Sequence, residues 1–351
     1  MSRVYVGLSG GVDSAVAAAH LCEAGHDVTG VFIKIWQPEF VECTWRADRL
    51  DAMRVAAVLG IAFREIDLSA EYKRAVIDSM IHQYRNGVTP NPDVLCNREI
   101  KFGPFLSWAL SEGAEYIATG HYTRRHEADG EFGLLRATDV SKDQTYFLHM
   151  LDQEMLAHTL FPLGELTKQE VRSRAAELRL PVAQKPDSQG LCFVGDIEIG
   201  EFLGRFIALE PGAVLDMSGR TIGEHRGAPL YTTGQRHGFH VGVSAPHYIV
   251  HIDTQSNTIT VTTDIADIKR GSVKLYEVHS ISKRPLPLRL SAQPRYHAQL
   301  IDARLDTGSE TRVHFDEPQL VSPGQSVVLY DGDLCLGGGE VSREAHLSSH
   351  A

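Results

Sequence analysis

Two cysteines at the ends of polar, turn-rich segments are the residues best placed to do chemistry. The first closes the run Thr89-Pro90-Asn91-Pro92-Asp93-Val94-Leu95-Cys96-Asn97-Arg98-Glu99-Ile100-Lys101. Its two prolines stiffen an extended approach. Asn97 is expected to cap a helix, which puts Cys96 at a helix N-terminus, where the dipole and nearby Arg98 and Lys101 stabilise a thiolate. Such a thiol suits a nucleophile or a sulfur carrier. Asp93, three residues earlier, is a candidate to accept or donate a proton. Taken alone, Cys96 reads better as a buried cysteine beside a rigid loop. The second segment is Gln184-Lys185-Pro186-Asp187-Ser188-Gln189-Gly190-Leu191-Cys192-Phe193-Val194, with Lys185 as local positive charge. The other cysteines are Cys22, Cys43 and Cys335, all expected to be structural. An odd, widely spaced set is not a disulfide framework, and no close pair has zinc-site spacing.

A third feature lies near the start. Ser9-Gly10-Gly11-Val12-Asp13-Ser14 follows an apolar strand and precedes an Ala-rich helix. Backbone N–H groups at such a turn, with the positive end of the helix, hold a phosphate. The glycines let the backbone approach the anion. Ser9 and Ser14 add hydroxyls, and Ser14 is a candidate cap. No Gly-Lys-Ser/Thr follows, so this is not a Walker loop, and it is not the dinucleotide Gly-x-Gly-x-x-Gly turn. The competing reading is a plain strand-to-helix turn with a serine cap.

The elements that must position these residues alternate. Strands are expected at 4–8, 28–35, 62–66 and 116–119. Helices are expected at 14–24, 46–59, 70–84, 100–110, 165–178 and 197–206. This is an α/β, Rossmann-like pattern, and ligands bind at the carboxyl ends of strands in such sheets. After about Pro211 turn signals crowd in, between short β-branched strands that suggest small barrels or sandwiches. The expected division is 1–197 for a nucleotide-binding domain, 198–268 for a small central domain and 269–351 for a C-terminal β-barrel. Gly337-Gly338-Gly339 reads as a tight β-turn.

The loop hexapeptide resembles the signature of the PP-loop ATP pyrophosphatases, which split ATP between the α and β phosphates and adenylate an oxygen of their substrate. The resemblance implies ATP contacts at Gly7, Leu8, Ser9, Gly10, Gly11, Val12, Asp13 and Ser14, with Ile33 beside adenine and Gly120 at a later strand end. Joined with the two cysteine segments, with Lys142-Asp143-Gln144-Thr145-Tyr146-Phe147-Leu148, Tyr231-Thr232-Thr233-Gly234-Gln235-Arg236, Gln293-Pro294-Arg295-Tyr296 and Gly324-Gln325-Ser326-Val327-Val328, the chain resembles the tRNA-specific 2-thiouridylases nearly throughout. That family has an N-terminal PP-loop domain, a small central domain and a C-terminal β-barrel.

This second resemblance implies ATP-dependent replacement of oxygen by sulfur at carbon 2 of the wobble uridine, releasing AMP and pyrophosphate. Cys192 would hold sulfur as a persulfide, received from a sulfur-relay protein or a cysteine desulfurase. Cys96 would attack the outer sulfur or the activated base, and Asp93 would be the acid/base. A transient Cys96–Cys192 disulfide would follow and need reduction. Asn91, Pro92 and Asp93 would border the target base. His121, Lys142, Asp143, Gln144, Arg295, Tyr296 and Gln325 would touch tRNA. Magnesium is expected with ATP, Asp13 being an indirect ligand.

Composition bounds these readings. Of 351 residues, 43% are hydrophobic and 23% charged, an ordinary globular mix. No apolar run nears the roughly 20 residues of a membrane helix, and no targeting peptide is evident, so a cytoplasmic location is expected. The net charge of −11 opposes a nucleic-acid partner. The tRNA reading therefore requires Arg124-Arg125, Lys269-Arg270 and Lys283-Arg284 to share a face with Lys142 and Arg295. The alternatives are a nitrogen-transferring PP-loop synthetase or a 4-thiouridine synthase, and a non-catalytic nucleotide-binding module. The nitrogen-transferring enzymes and the module need no cysteine pair.

Overall fold

The computed structural model describes residues 1–40, 45–187, 198–242 and 245–343, so the expectations for Cys43 and Cys192 lie outside the described residues. The first sheet contains β1 (Arg3–Gly7), β2 (Asp27–Lys34), β3 (Ala62–Asp67), β4 (Tyr116–Ala118) and β7 (Thr159–Leu160), in the order β3-β2-β1-β4-β7, all parallel. Val4, Val6, Val31 and Ile117 are fully buried, as in strands covered on both faces. The chain runs from β1 outward to β3 and then returns to place β4 on the other side of β1. That reversal opens a crevice at the carboxyl ends of β1 and β4.

The helix Val12–Glu23 lies close on this sheet because Ala15, Ala17 and Ala18 leave no side-chain bulk between them. Trp45–Leu59 covers β2 and β3. Residues 69–85 are helical throughout, with a π-helical stretch at Lys73–Asp78. The expected helix at 100–110 is broken instead. A π-helical stretch, Asn97–Lys101, ends at Phe102, and a new helix, Pro104–Ser111, starts with proline in its first turn. Proline has no N–H to continue the first helix and disfavours helical backbone at the residue before it. Lys168–Glu177 begins at Thr167 with a capping box closed by Glu170.

The hairpin of β5 (Thr123–Ala128) and β6 (Glu131–Arg136) was not foreseen. It leaves the first sheet and joins the C-terminal one. The central sheet holds β8 (Gly212–Leu215), β9 (Thr221–His225), β10 (Phe239–Val241), β11 (Tyr248–Asp253) and β12 (Thr258–Thr262), ordered β10-β9-β8-β12-β11. The last segment contains β13 (Lys269–Ser280), β14 (Arg289–Gln293), β15 (Ile301–Thr307), β16 (Thr311–Leu320), β17 (Ser326–Asp331) and β18 (Leu334–Val341). β13 pairs with both β16 and β18, which closes these six strands into a barrel.

The glycine triplet 337–339 lies inside β18 and is not the β-turn expected from sequence. A Cβ on Gly337 would come within 2.1 Å of the His279 carbonyl, and one on Gly338 within 2.5 Å of the Val327 carbonyl. Only glycine lets this strand bulge between β13 and β17 as the barrel closes. β6 pairs with β18 through Leu135–Leu334 and Leu134–Cys335. Leu134, Tyr146, Val328, Tyr330 and Cys335 are buried in one apolar cluster with Ile117 and Phe105, so the first domain's core runs into the barrel. Burial pushes the Cys335 thiol up to about 12, in keeping with a packing role. Among the described residues no helix is long and apolar enough to cross a membrane.

Candidate active site

The loop after β1 makes most of its side-chain hydrogen bonds within itself. The Ser9 N–H donates to Ser14 Oγ at 3.1 Å, and Ser14 Oγ donates to the Gly11 carbonyl at 3.2 Å. Ser14 is not the helix cap. The helix starts at Val12, with Gly11 before it, and the Ser14 hydroxyl braces the loop from inside the first turn. Gly10 has φ of +76°, and a Cβ there would lie 2.3 Å from the Asp48 carbonyl, so the backbone itself passes under the neighbouring helix. Gly120, at the end of β4, packs as closely, with a Cβ 2.7 Å from the Ser14 nitrogen.

Between these strand ends lies a cavity of about 330 Å³. Its walls include Gly7 at the end of β1, Leu8, Ser9, Asp13 and Ser14 after it, Ile33 near the end of β2 and Ile35 just beyond. Cys96, Ile100, Lys101, Thr119, Gly120, His121 and Gln144 complete it. Gly10, Gly11 and Val12 form the turn behind this wall. The loop and the first cysteine, 82 residues or more apart in sequence, therefore face one cavity.

Cys96 does not sit at a helix N-terminus. The helix begins at Pro92, whose fixed φ and missing N–H suit a first turn, and Cys96 is its fifth residue. The helix then widens into the π stretch Asn97–Lys101, closed by the Phe102 N–H on the Asn97 carbonyl at 2.9 Å. This widening turns Lys101 into the cavity beside buried Cys96. Asn97 is buried. It donates to the Phe147 carbonyl and accepts from Lys101 Nζ, each at 3.0 Å. It is the first-turn position of Asp93, not Cys96, that feels the helix dipole. Burial nevertheless raises the Asp93 carboxyl above its usual range, with Lys101 opposing.

His121 is buried between Lys101 Nζ, 3.4 Å from Nε2, and Thr119 Oγ1, 2.8 Å from Nδ1. An ammonium only donates, so Nε2 accepts and Nδ1–H donates to Thr119. Burial and Lys101 hold this imidazole well below its usual pKa, hence neutral. Asp143 is also buried. Its carboxylate accepts from the Ala137 N–H at 3.0 Å, Thr145 Oγ1 at 2.8 Å and Arg136 Nε at 3.3 Å. Expected at a tRNA surface, it is committed to organising its own loop. Gln144 lines the cavity and accepts the Tyr122 N–H.

The segment before Cys96 is gripped by the other two domains. Gln325 Nε2 donates to the carbonyls of Thr89 and Pro90, both at 3.0 Å, and the Thr89 N–H donates to Pro323. Thr89 Oγ1 meets Thr232 Oγ1 of the central domain at 2.9 Å. A second cavity, of about 590 Å³, opens here, lined by Thr89, Thr232, Gln235, Arg295 and Gln325 among others. Asn91, Pro92 and Asp93, which follow Thr89 in the chain, are half-buried. Tyr296 has its ring 4.3 Å from that of Phe147 and 3.8 Å from that of His297.

Sequence reasoning missed a charged cluster on the other side of the loop. Lys168 Nζ donates to both Asp13 oxygens, at 2.7 and 2.9 Å, and lies 2.9 Å from Asp187 Oδ1. Tyr122 also donates to Asp13. No motif marked Lys168, which follows a helix cap and looks like surface charge. The basic pairs expected to face tRNA are largely occupied elsewhere. Arg125 bonds the carbonyls of Leu156, Ala157 and Thr159, Arg124 the carbonyl of Arg136, and Arg284 pairs with Asp129 and Glu131.

The chain matches, in order, families described as tRNA methyl transferase HUP domain over residues 2–196, tRNA methyl transferase PRC-barrel domain over 200–263, and aminomethyltransferase beta-barrel domain over 270–341. It is 44% identical to the tRNA-specific 2-thiouridylase MnmA of Akkermansia muciniphila, across 97% of this chain and 98% of that protein. It is 42% identical to the protein of the same name from Klebsiella pneumoniae subsp. pneumoniae, across 99% and 98%. A PP-loop crevice with a buried cysteine, a small central sheet, a closed barrel and this identity from end to end agree, and the chain belongs to the tRNA-specific 2-thiouridylase family.

Proposed function

We propose that this protein is an ATP-dependent tRNA-uridine 2-sulfurtransferase acting at the wobble position. The observation that carries the reading is the shared cavity. A phosphate-binding loop and a buried thiol line one cavity, with Lys101 and neutral His121 also in its walls. The whole-length relatives named as 2-thiouridylases support the substrate.

The C2 carbonyl of uridine is a poor electrophile. Its oxygen attacks the α-phosphorus of ATP, pyrophosphate leaves, and the oxygen becomes part of an AMP leaving group. Cys192 carries a persulfide supplied by a donor protein. Cys96 thiolate attacks the Cys192 sulfur, a Cys96–Cys192 disulfide forms, and hydrosulfide leaves. The hydrosulfide adds to C2 and AMP departs, giving the 2-thio base. An external reductant then reopens the disulfide, which suits the reducing cytoplasm.

Within this scheme Asp93, carrying a raised pKa, takes or gives the proton. Asn91 and Pro92 border the base. Tyr296 and Arg295 stack on and pin the unstacked anticodon strand. Gln325 lines the same cavity as Arg295, His121 lies at the wall of the other cavity, and Lys142 pairs with Asp187 near the loop. Magnesium would arrive with the triphosphate, and Asp13 is the carboxylate beside the loop that suits it.

The test is mass spectrometry of nucleosides from unmodified tRNA incubated with protein, ATP, magnesium and a persulfide donor. Wild type should yield 2-thiouridine. Cys192→Ser and Cys96→Ser should reduce it at least a hundredfold while AMP is still formed. AMP without a thiolated base in wild type would remove the substrate assignment, and full activity of Cys96→Ser would remove the sulfur route.

A further inference from the structure

Asn91 stands just before the helix Pro92–Cys96, the position from which an asparagine oxygen ordinarily accepts a helix N–H, yet its side chain caps nothing. The neighbouring hydrogen bonds give a reason. Gln325 holds the carbonyl of Pro90, the residue before Asn91. The next barrel residue, Ser326, accepts the Tyr146 hydroxyl on its carbonyl at 2.8 Å. Tyr146 is buried, and burial raises its pKa, so it keeps its proton. A carbonyl only accepts, so the single hydroxyl hydrogen goes to Ser326, and towards Asn91 the phenol oxygen can only accept. The bond from Asn91 favours the phenolate form of Tyr146, as a donated bond does. Nδ2 of Asn91 therefore faces the phenol, and Oδ1, free of helix capping, is turned the other way as a pure acceptor.

We propose that Tyr146 is a positioning residue for base choice, fixing the Asn91 amide so that Oδ1 meets the N3–H of uridine and repels the bare N3 of cytidine. N3 is the ring atom next to the C2 that reacts, and a base out of its stack is read along this edge. The inference rests on the uridine-thiolating function proposed above, with Asn91 at the base. Without the phenol the amide is free to turn, and its NH2 then suits cytidine.

The test uses the full-length protein, ATP, magnesium and a persulfide donor with two tRNA transcripts that differ only in uridine or cytidine at the wobble position. Mass spectrometry of the thiolated nucleosides gives the ratio of the two kcat/KM values. Wild type should favour uridine by roughly 10⁴-fold, the rejection expected of a site built to pair one polar edge. Tyr146→Phe keeps the ring and should lower the ratio at least tenfold. Asn91→Ala should lower it as far, and adding Tyr146→Phe to Asn91→Ala should change it no further. Equal slowing on both transcripts with the ratio intact means that the hydroxyl serves only packing. A further fall of the ratio in the double variant means that Tyr146 does not act through Asn91. Either result overturns the proposal. Should Tyr146→Phe fold poorly, Asn91→Ala decides alone, and an unchanged ratio there overturns it. If wild type thiolates neither transcript, it is the thiolating function that fails. If wild type thiolates uridine and the variants keep its preference, only this inference fails.

Discussion

Asp93 sits under opposing demands. The start of its helix and Lys101 favour a charged carboxylate, while burial disfavours it more strongly and raises its pKa. A proton is therefore held more tightly by the folded protein than by the unfolded chain. The stabilising contribution is complete below the ordinary carboxyl range and is lost as pH rises through the raised folded value. At neutral pH the ionised group costs stability, and a reaction that moves protons at this site gives a reason to keep it. Asp93→Asn should raise the melting temperature at pH 7, with the gap to wild type closing as pH falls towards 4, while thiolation drops by roughly 10²–10⁴-fold. Thermal melts across that range, paired with nucleoside assays, check both halves. A variant less stable than wild type at pH 7 contradicts the burial argument.

At the scale of elements, the segment 89–93 belongs in sequence to the first domain but is fixed by the barrel. Gln325 spends both amide hydrogens on the carbonyls of Thr89 and Pro90. Each bond is worth about 0.5–1.5 kcal/mol, enough to select one loop position. Gln325→Ala should lower the thiolation rate about tenfold with unchanged ATP affinity, because misplacement of the residues proposed to border the base would slow the chemical step and leave the nucleotide untouched. An unchanged kcat rules out this clamp. The same segment shows what sequence made legible. The Ser9–Ser14 turn is local, strand then glycines then helix, and its nearest neighbours determine it. The start of the helix at Pro92 was misread, since two prolines in three residues signal extended backbone as readily as a first turn. The break at Gly103–Pro104 was missed because the apolar spacing continues across it. The pairing of Leu134 with Cys335 leaves no local trace at all. The Lys168 cluster was equally silent, because its partners come from four separate stretches of chain.

For the whole molecule, a formal charge of −11 coexists with a polyanionic substrate. Arg124, Arg125 and Arg284 are spent inside the fold, whereas Arg295 and Arg236 are exposed. Of the basic pairs expected to face tRNA, Lys269 and Lys283 are exposed as well, so these pairs offer only a few cations to neutralise phosphates. The affinity for tRNA should therefore fall with salt at a log–log slope no steeper than about −3, near four contacts at −0.7 each. Filter binding between 50 and 200 mM salt, taken as approximate limits, measures it. A slope of about −6 or beyond would require a broad basic face and would contradict this count. The barrel closure has a temporal consequence as well. β6 leaves the ribosome about 200 residues before β18, so at roughly 5–20 residues per second its outer edge waits on the order of 10–40 s for its partner strand. Throughout that interval the β5–β6 hairpin presents Leu134 and Leu135 along one unpaired edge, the kind that other chains join. Nascent chains halted short of Leu334 are thus the forms of this protein that holdase chaperones should capture most readily.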